Sequence, residues 1–170
     1  MQTFKRILIG FLGLLALLFI ISIFLPSKFK VERSLAINKS ADTLFNEVNN
    51  LKNWKNWDPW ECKDPSMTHE YLGPDGGMGA THNWKGKDGN GTLTILQRIS
   101  PDIVIYQLQF EGFDPMQGRI EFDSETDSVT NVKWVMEGDM GNNPIKKYFG
   151  LMMDKMMGPD FEAGLANLNN

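Results

Sequence analysis

The stretch NNPIKKYFGLMMDKMMGPDFEAGLANL, residues 142–168, decides the fold. Asn142 or Asn143 can cap a helix whose first turn tolerates Pro144. Ile145, Tyr148, Phe149, Met152, Met153, Met156 and Met157 then form one apolar stripe, with Lys146, Lys147, Asp154 and Lys155 mostly off it. Gly158 and Pro159 predict a bend. Phe161, Leu165 and Leu168 continue the apolar side. A long C-terminal helix with so wide an apolar face needs a sheet to cover.

The preceding residues supply it. MTHEYL, ATHNWKG, TLTILQRI, IVIYQLQF, MQGRIEF and VTNVKWVMEG are short alternating runs. The turn signals GPDGGMG, KDGNG, PD, GFDP and DSETDS separate them. Links of hairpin length favour antiparallel pairing. Upstream, KFKVERSLAI (residues 28–37) alternates as a strand. NKSADTLFNEVNNL follows as a short helix, with Asn38 and Ser40 as possible caps. The order of strand, two short helices, six antiparallel strands and one long helix reads as an α+β fold. A strongly curved sheet of seven strands can wrap the C-terminal helix and leave a cavity between them.

At the other end, Ile7–Leu25 reads ILIGFLGLLALLFIISIFL, without a charge. At 1.5 Å per residue it spans about 28 Å, close to the ~30 Å hydrocarbon core of a bilayer. It lacks the polar stripe of a soluble helix. A cleaved signal peptide is the competing reading, but its apolar region is shorter and ends in small residues. The run is read as an uncleaved transmembrane signal anchor, residues 1–26, followed by a domain of residues 27–170. Lys5 and Arg6 on one side against Lys28, Lys30 and Arg33 on the other leave orientation open by count. A short basic N-terminus retained in the cytoplasm places the domain outside it.

A formal net charge of -4 argues against a nucleic-acid partner. Cys62 is the only cysteine, so there is no intramolecular disulfide and no cysteine-based zinc site. It reads as an incidental small side chain. GPDGGMG lacks the GxxxxGK[ST] pattern and does not open a helix, so its glycines serve a hairpin. KDGNG lacks the ligand spacing of a calcium loop. No GxSxG occurs, and Asp58, Glu61, Asp75 and Asp139 read as caps and turn formers. No cofactor is indicated, and any protein partner is left unidentified.

VERSLAI with its following helix, LKNWKNWDPW, YLGPDGGMGATHNWKG, VTNVKWVMEGD and GPDFEAGLANL stand in an order and spacing that resembles the SRPBCC (START-like, helix-grip) superfamily. The resemblance covers residues 28–168 and is strongest to bacterial proteins of the polyketide cyclase/dehydrase type, several of which carry an N-terminal membrane segment. It implies a seven-stranded antiparallel sheet gripping the C-terminal helix, and a deep apolar pocket for a lipid-like or polycyclic ligand. No catalytic residues carry over, because members place different groups in the pocket.

Leu51, Trp54 and Trp57 share a helical face and read first as core. The resemblance puts Trp57 and Trp60 at the pocket mouth, and Trp beside Lys52 and Lys55 also suits a membrane interface. Strand parity puts Met67, His69 and Tyr71 on one face, and Met78, Ala80, His82 and Trp84 on another. If GPDGGMG closes this hairpin, His69 and His82 meet, as ligand contacts or as general acid and base with pKa values lowered by burial. A metal lacks a third ligand, because Glu70 has the opposite parity. Tyr106, Leu108, Phe110, Ile120, Phe122, Trp134 and Met136 are inward by parity. Met152, Met153, Met156 and Met157 are expected at the pocket floor, with Phe149 beside them as a ligand contact, and methionine there accommodates varied apolar shapes. Three readings result: a membrane-anchored binder of an apolar or amphipathic small molecule or lipid; a cyclase/dehydrase-type enzyme; or an envelope or stress-related interaction module with a closed pocket.

Overall fold

A computed structural model describes residues 2–87 and 89–170, with Glu61 and Cys62 described by backbone alone. The readings of the Cys62 and Glu61 side chains lie outside the described residues. The elements are α1 (Gln2–Phe24), β1 (Lys28–Ile37), α2 (Ala41–Asn49), a 3₁₀ turn (Leu51–Asn56), α3 (Pro59–Lys63), β2 (Thr68–Leu72), β3 (Thr81–Gly86), β4 (Gly89–Ile99), β5 (Ile103–Phe110), β6 (Met116–Thr126), β7 (Val129–Asp139) and α4 (Pro144–Asn169).

The seven strands form one antiparallel sheet in the order β1-β7-β6-β5-β4-β3-β2. Each strand from β2 to β6 pairs with its successor, and β1 returns to pair with β7 along its whole length. Irregularities at Ile95/Gln97 and Ser124/Thr126 bend the strands they interrupt. The result is the curved α+β helix-grip fold.

Caps fix where the helices begin. The Ser40 side chain accepts from the Thr43 N–H at the start of α2. Asn143 accepts from the N–H groups of Ile145 and Lys146 at the start of α4, and Pro144 takes the first helical position. Asp58 caps α3 by accepting from Trp60 N–H at 2.9 Å.

The apolar core lies between the inner face of the sheet, α2, the 3₁₀ turn and the C-terminal half of α4. In α4 it takes Met153, Met157, Phe161, Leu165 and Leu168. Trp134 on β7 stacks flat on Phe161, with centroids 4.2 Å apart and planes 3° off parallel. Gly164 permits this approach, since a Cβ there would come within 2.7 Å of the Trp134 ring. The bend expected at Gly158 and Pro159 does not end the helix, which is continuous through both. Arg33 on β1 bonds Asp154 on one side of these residues and Glu162 on the other, clamping the turn. The guanidinium packs where a side chain on Gly158 would stand.

Candidate ligand pocket

The inner face of β2–β5 is roofed by the segment that carries the tryptophans. In a 3₁₀ turn, residues three apart eclipse one another. Leu51, Trp54 and Trp57 therefore stand in one row and are all buried. Trp54 Nε1 donates to the Val48 carbonyl at 2.7 Å. Trp57 packs against Trp54 and Trp134, but its buried Nε1 has no hydrogen-bond partner among the described residues. The Asp58–Pro59 break then turns the chain. Trp60 is half-buried, with its ring edge-on to Trp134 and Phe161.

Below this roof lies a cavity of about 90 Å³. Its aromatic wall is Trp54, Trp60, Tyr71, Trp84, Tyr106, Phe110 and Trp134, with aliphatic lining from Met67, Leu93, Leu108 and Met136. Among the described residues, the polar side chains lining it are Lys55, Asp58, His69 and His82, besides the two tyrosines. Tyr106 is buried, and its hydroxyl accepts from Trp134 Nε1 at 2.6 Å, so this pair braces the floor. Burial raises the Tyr106 pKa. Asp64, whose carbonyl accepts from the N–H of the lining residue Met67, is buried. Its carboxylate accepts from Ser66 Oγ, Lys87 N–H and Ser66 N–H, and these bonds bring its pKa down to about 2.

The two histidines meet as the hairpin requires. β2 and β3 pair with Tyr71 opposite His82 and His69 opposite Trp84. His69 Nδ1 and His82 Nε2 then lie 3.0 Å apart on the diagonal, and one of the two nitrogens carries the shared proton. Tyr71 stacks on His82 with centroids 4.7 Å apart. Burial, and secondarily the charge on His69, pushes the His82 pKa down to about 4. At neutral pH, His82 is an uncharged hydrogen-bonding group and a weak base. Among the described residues, no three His, Cys, Asp or Glu side chains are grouped to hold a metal ion.

Residues 28–170 match the protein family described as polyketide cyclase/dehydrase and lipid transport. The chain belongs to that family. No curated protein matches it. Solved structures of low identity share the fold. A Thermobifida fusca protein has a TM-score of 0.62 at 16% identity, covering 82% of this chain and 90% of its own. Truncated norcoclaurine synthase from Thalictrum flavum has 0.60 at 15%, covering 83% and 90%. The Aha1 dimer from Colwellia psychrerythraea has 0.55 at 14%, covering 82% and 96%.

For this polyketide cyclase/dehydrase and lipid transport domain, the structure sorts the sequence candidates. Trp60, His69, Tyr71, His82, Trp84, Tyr106, Phe110 and Trp134 line the cavity. Trp57, Phe149, Met152, Met153 and Met156 do not, and no α4 residue does. The expected pocket between sheet and C-terminal helix is instead a pocket between sheet and Leu51–Lys63. The reason lies in the packing. α4 fills the β1–β7 end of the sheet, where Met153 is buried, and its N-terminal half turns Phe149, Met152 and Met156 outward. Trp57 is displaced from the mouth because the 3₁₀ row points it into the core. Met78 stands exposed in the loop before β3, off the face its parity suggested. Trp54, Lys55, Asp58, Met67, Gly89 and Leu93 also line the cavity and were not among the candidates, and Leu108 and Met136 line it as their inward parity suggested. Met67 shares the parity of His69, which was the available signal.

Proposed function

We propose that this protein is a membrane-anchored binder of an apolar or amphipathic small molecule, lipid-like or aromatic. Residues 1–26 anchor it as a single pass, and residues 27–170 bind the ligand in the cavity beneath Leu51–Lys63. The observation that carries this reading is an aromatic wall around an uncharged His82 that is hydrogen-bonded to His69. Such a wall takes an apolar body, and the pair takes one polar group. A 23-residue helix without a charge from Ile7 to its end at Phe24, and exposed along nearly all its length, supports the anchor. The basic N-terminus is read as cytoplasmic, which puts the domain on the far side.

Size narrows the ligand. A volume of about 90 Å³ lies below the ~300–1,000 Å³ typical of sites that enclose a drug-sized molecule. The cavity accepts one ring or the end of a chain, and a longer ligand extends past Trp60 and Lys55. Native mass spectrometry of the chain extracted from its host membrane tests this. A discrete added mass, removed by organic extraction and absent from Trp84→Ala, is the expected result. A bare chain whose tryptophan fluorescence ignores added fatty acids and polycyclic aromatics would overturn it.

A second reading is an acid–base enzyme of the cyclase/dehydrase kind. It is favoured by the placement of both imidazoles on one cavity wall, 3.0 Å apart. Against it stands the His82 pKa of about 4, far below the near-neutral value that suits a general base at pH 7.

A further inference from the structure

The anchor is not hinged loosely to the domain. The last four carbonyls of a helix lack partners within it. For Ser22 the residue four ahead is Pro26, which has no N–H to give. The Ser22 carbonyl takes a long bond from Leu25 N–H at 3.3 Å, and Lys147 on α4 adds a second donor, with Nζ 3.2 Å away. Its positive charge also suits the C-terminal end of the α1 dipole. Tyr148 Oη donates to the Leu18 carbonyl at 2.8 Å. Met140 N–H donates to the Ser27 carbonyl at 2.8 Å, fixing the link between them.

These bonds set a depth. α1 ends at Phe24, so the Leu18 carbonyl lies about 9 Å back along its axis at 1.5 Å per residue. If α1 spans the bilayer, the start of α4 is level with its last turns. The surface of α4 fits that position. Ile145, Phe149, Met152 and Met156 recur at i, i+4, i+7 and i+11 on one face and are all exposed, Ile145 by 79% and Met152 by 52%. Phe113 in the β5–β6 loop is exposed too and lies against Phe149, with centroids 6.1 Å apart. Leu151 is exposed on the same half of the helix. A contiguous apolar surface of this kind marks an interaction site.

We propose that the N-terminal half of α4, with Phe113, is seated in the interfacial layer of the lipid bilayer beside α1, so that the domain lies against the membrane on this face. The occupant is lipid because the surface continues the apolar exterior of α1 and is tied to it at Leu18 and Ser22. The proposal rests on the anchor reading of α1. Lys146, at the edge of the face, pairs with Asp114 at 2.8 Å, and that ion pair stays at the water side.

The test uses the full wild-type chain in phosphatidylcholine liposomes, with a hydrophobic aryl diazirine photolysed in the hydrocarbon and its adducts mapped by mass spectrometry. Adducts are expected on α1 and, several-fold above those on exposed Leu72 and Leu96, on Phe113, Phe149, Met152 and Met156. Adducts on α1 alone would overturn the proposal and leave the anchor standing. A chain unlabelled on α1 would remove the anchor reading, and the proposal with it.

Discussion

Acidification should destabilise this protein through His82, by an amount that can be worked out. Burial and the charge on His69 hold its pKa at about 4 in the folded protein, against 6.5 for a free histidine. Between those values the unfolded chain binds a proton that the folded chain refuses, so stability rises with pH across the window. It is complete above pH 6.5 and is lost as pH falls toward 4. At pH 5 the unfolded imidazole is protonated and the folded one is still neutral. The loss relative to pH 7 is about 1.5 pH units at 1.36 kcal/mol each, or about 2 kcal/mol. With a urea m-value of ~2 kcal/mol/M, the midpoint should drop by about 1 M. The assay is urea unfolding of the full chain in nonionic detergent, read by tryptophan fluorescence at pH 7 and pH 5. His82→Gln keeps a polar group beside His69 and cannot titrate. Carboxylates with lowered pKa values, such as Asp64 and Glu121, are common to both chains and cancel in the comparison. His82→Gln should therefore lose about 2 kcal/mol less than wild type over this interval. Equal pH slopes in the two chains would refute the burial argument, and with it the picture of an uncharged His82.

The two buried tryptophans of the 3₁₀ row should differ under the same substitution. Trp54→Phe strands the Val48 carbonyl, costing about 1–3 kcal/mol beyond lost volume, whereas Trp57→Phe removes an Nε1 that has no partner among the described residues. Thermal melts that rank Trp57→Phe as the more damaging would contradict this. A Cβ at Gly118 would overlap the wholly buried Tyr106 ring, which braces Trp134, so Gly118→Ala should cost about 1–3 kcal/mol. Gly91→Ala meets Trp84 instead, which is half-buried and can swing into the cavity. It should spare stability and abolish the added mass in native spectra; retained ligand would sink that reasoning. Arg33→Ala should destabilise less than Gly118→Ala, because Asp154 and Glu162 are exposed and screened. Wild type should lose that same increment in molar salt, and salt-independent melting of wild type would argue otherwise.

Much of this arrangement was legible because period two is unforgiving. Once GPDGGMG closes a hairpin, His69, Tyr71, His82 and Trp84 have no choice of face, and Tyr106, Leu108, Trp134 and Met136 follow by the same rule. Caps were equally plain: Ser40 and Asn143 act where a side-chain acceptor precedes an apolar run. The tryptophan segment was half legible. The core reading of Leu51, Trp54 and Trp57 holds, and the tighter 3₁₀ period, which eclipses residues three apart, is what takes Trp57 away from the mouth where the resemblance put it. α4 was the least legible element. Met153, Met157, Phe161, Leu165 and Leu168 form one apolar series at helical spacing, and Ile145, Phe149, Met152 and Met156 form another. Periodicity assigns both to faces but does not say which one meets protein.

Two apolar faces on one helix are puzzling in a domain surrounded by water, and they cease to be so beside a membrane anchor. The C-terminal half of α4 must bury its series against β1 and β7, because Trp134 and Phe161 stack there. The N-terminal half is held at the end of α1 by Lys147 and Tyr148, and on the membrane reading its second series has lipid as the adjacent medium. The β5–β6 connection then joins the two regions that matter. Phe110, at the end of β5, lines the cavity and meets Trp84 edge-on at 5.6 Å. The Phe113 N–H donates to the Phe110 carbonyl in a tight turn, and the Phe113 ring reaches Phe149. On the membrane reading, one turn of chain separates the cavity wall from the bilayer surface. A ligand dissolved in the membrane would then meet the domain on the side where its aromatic wall begins, which suits a lipid-like molecule better than a freely soluble one.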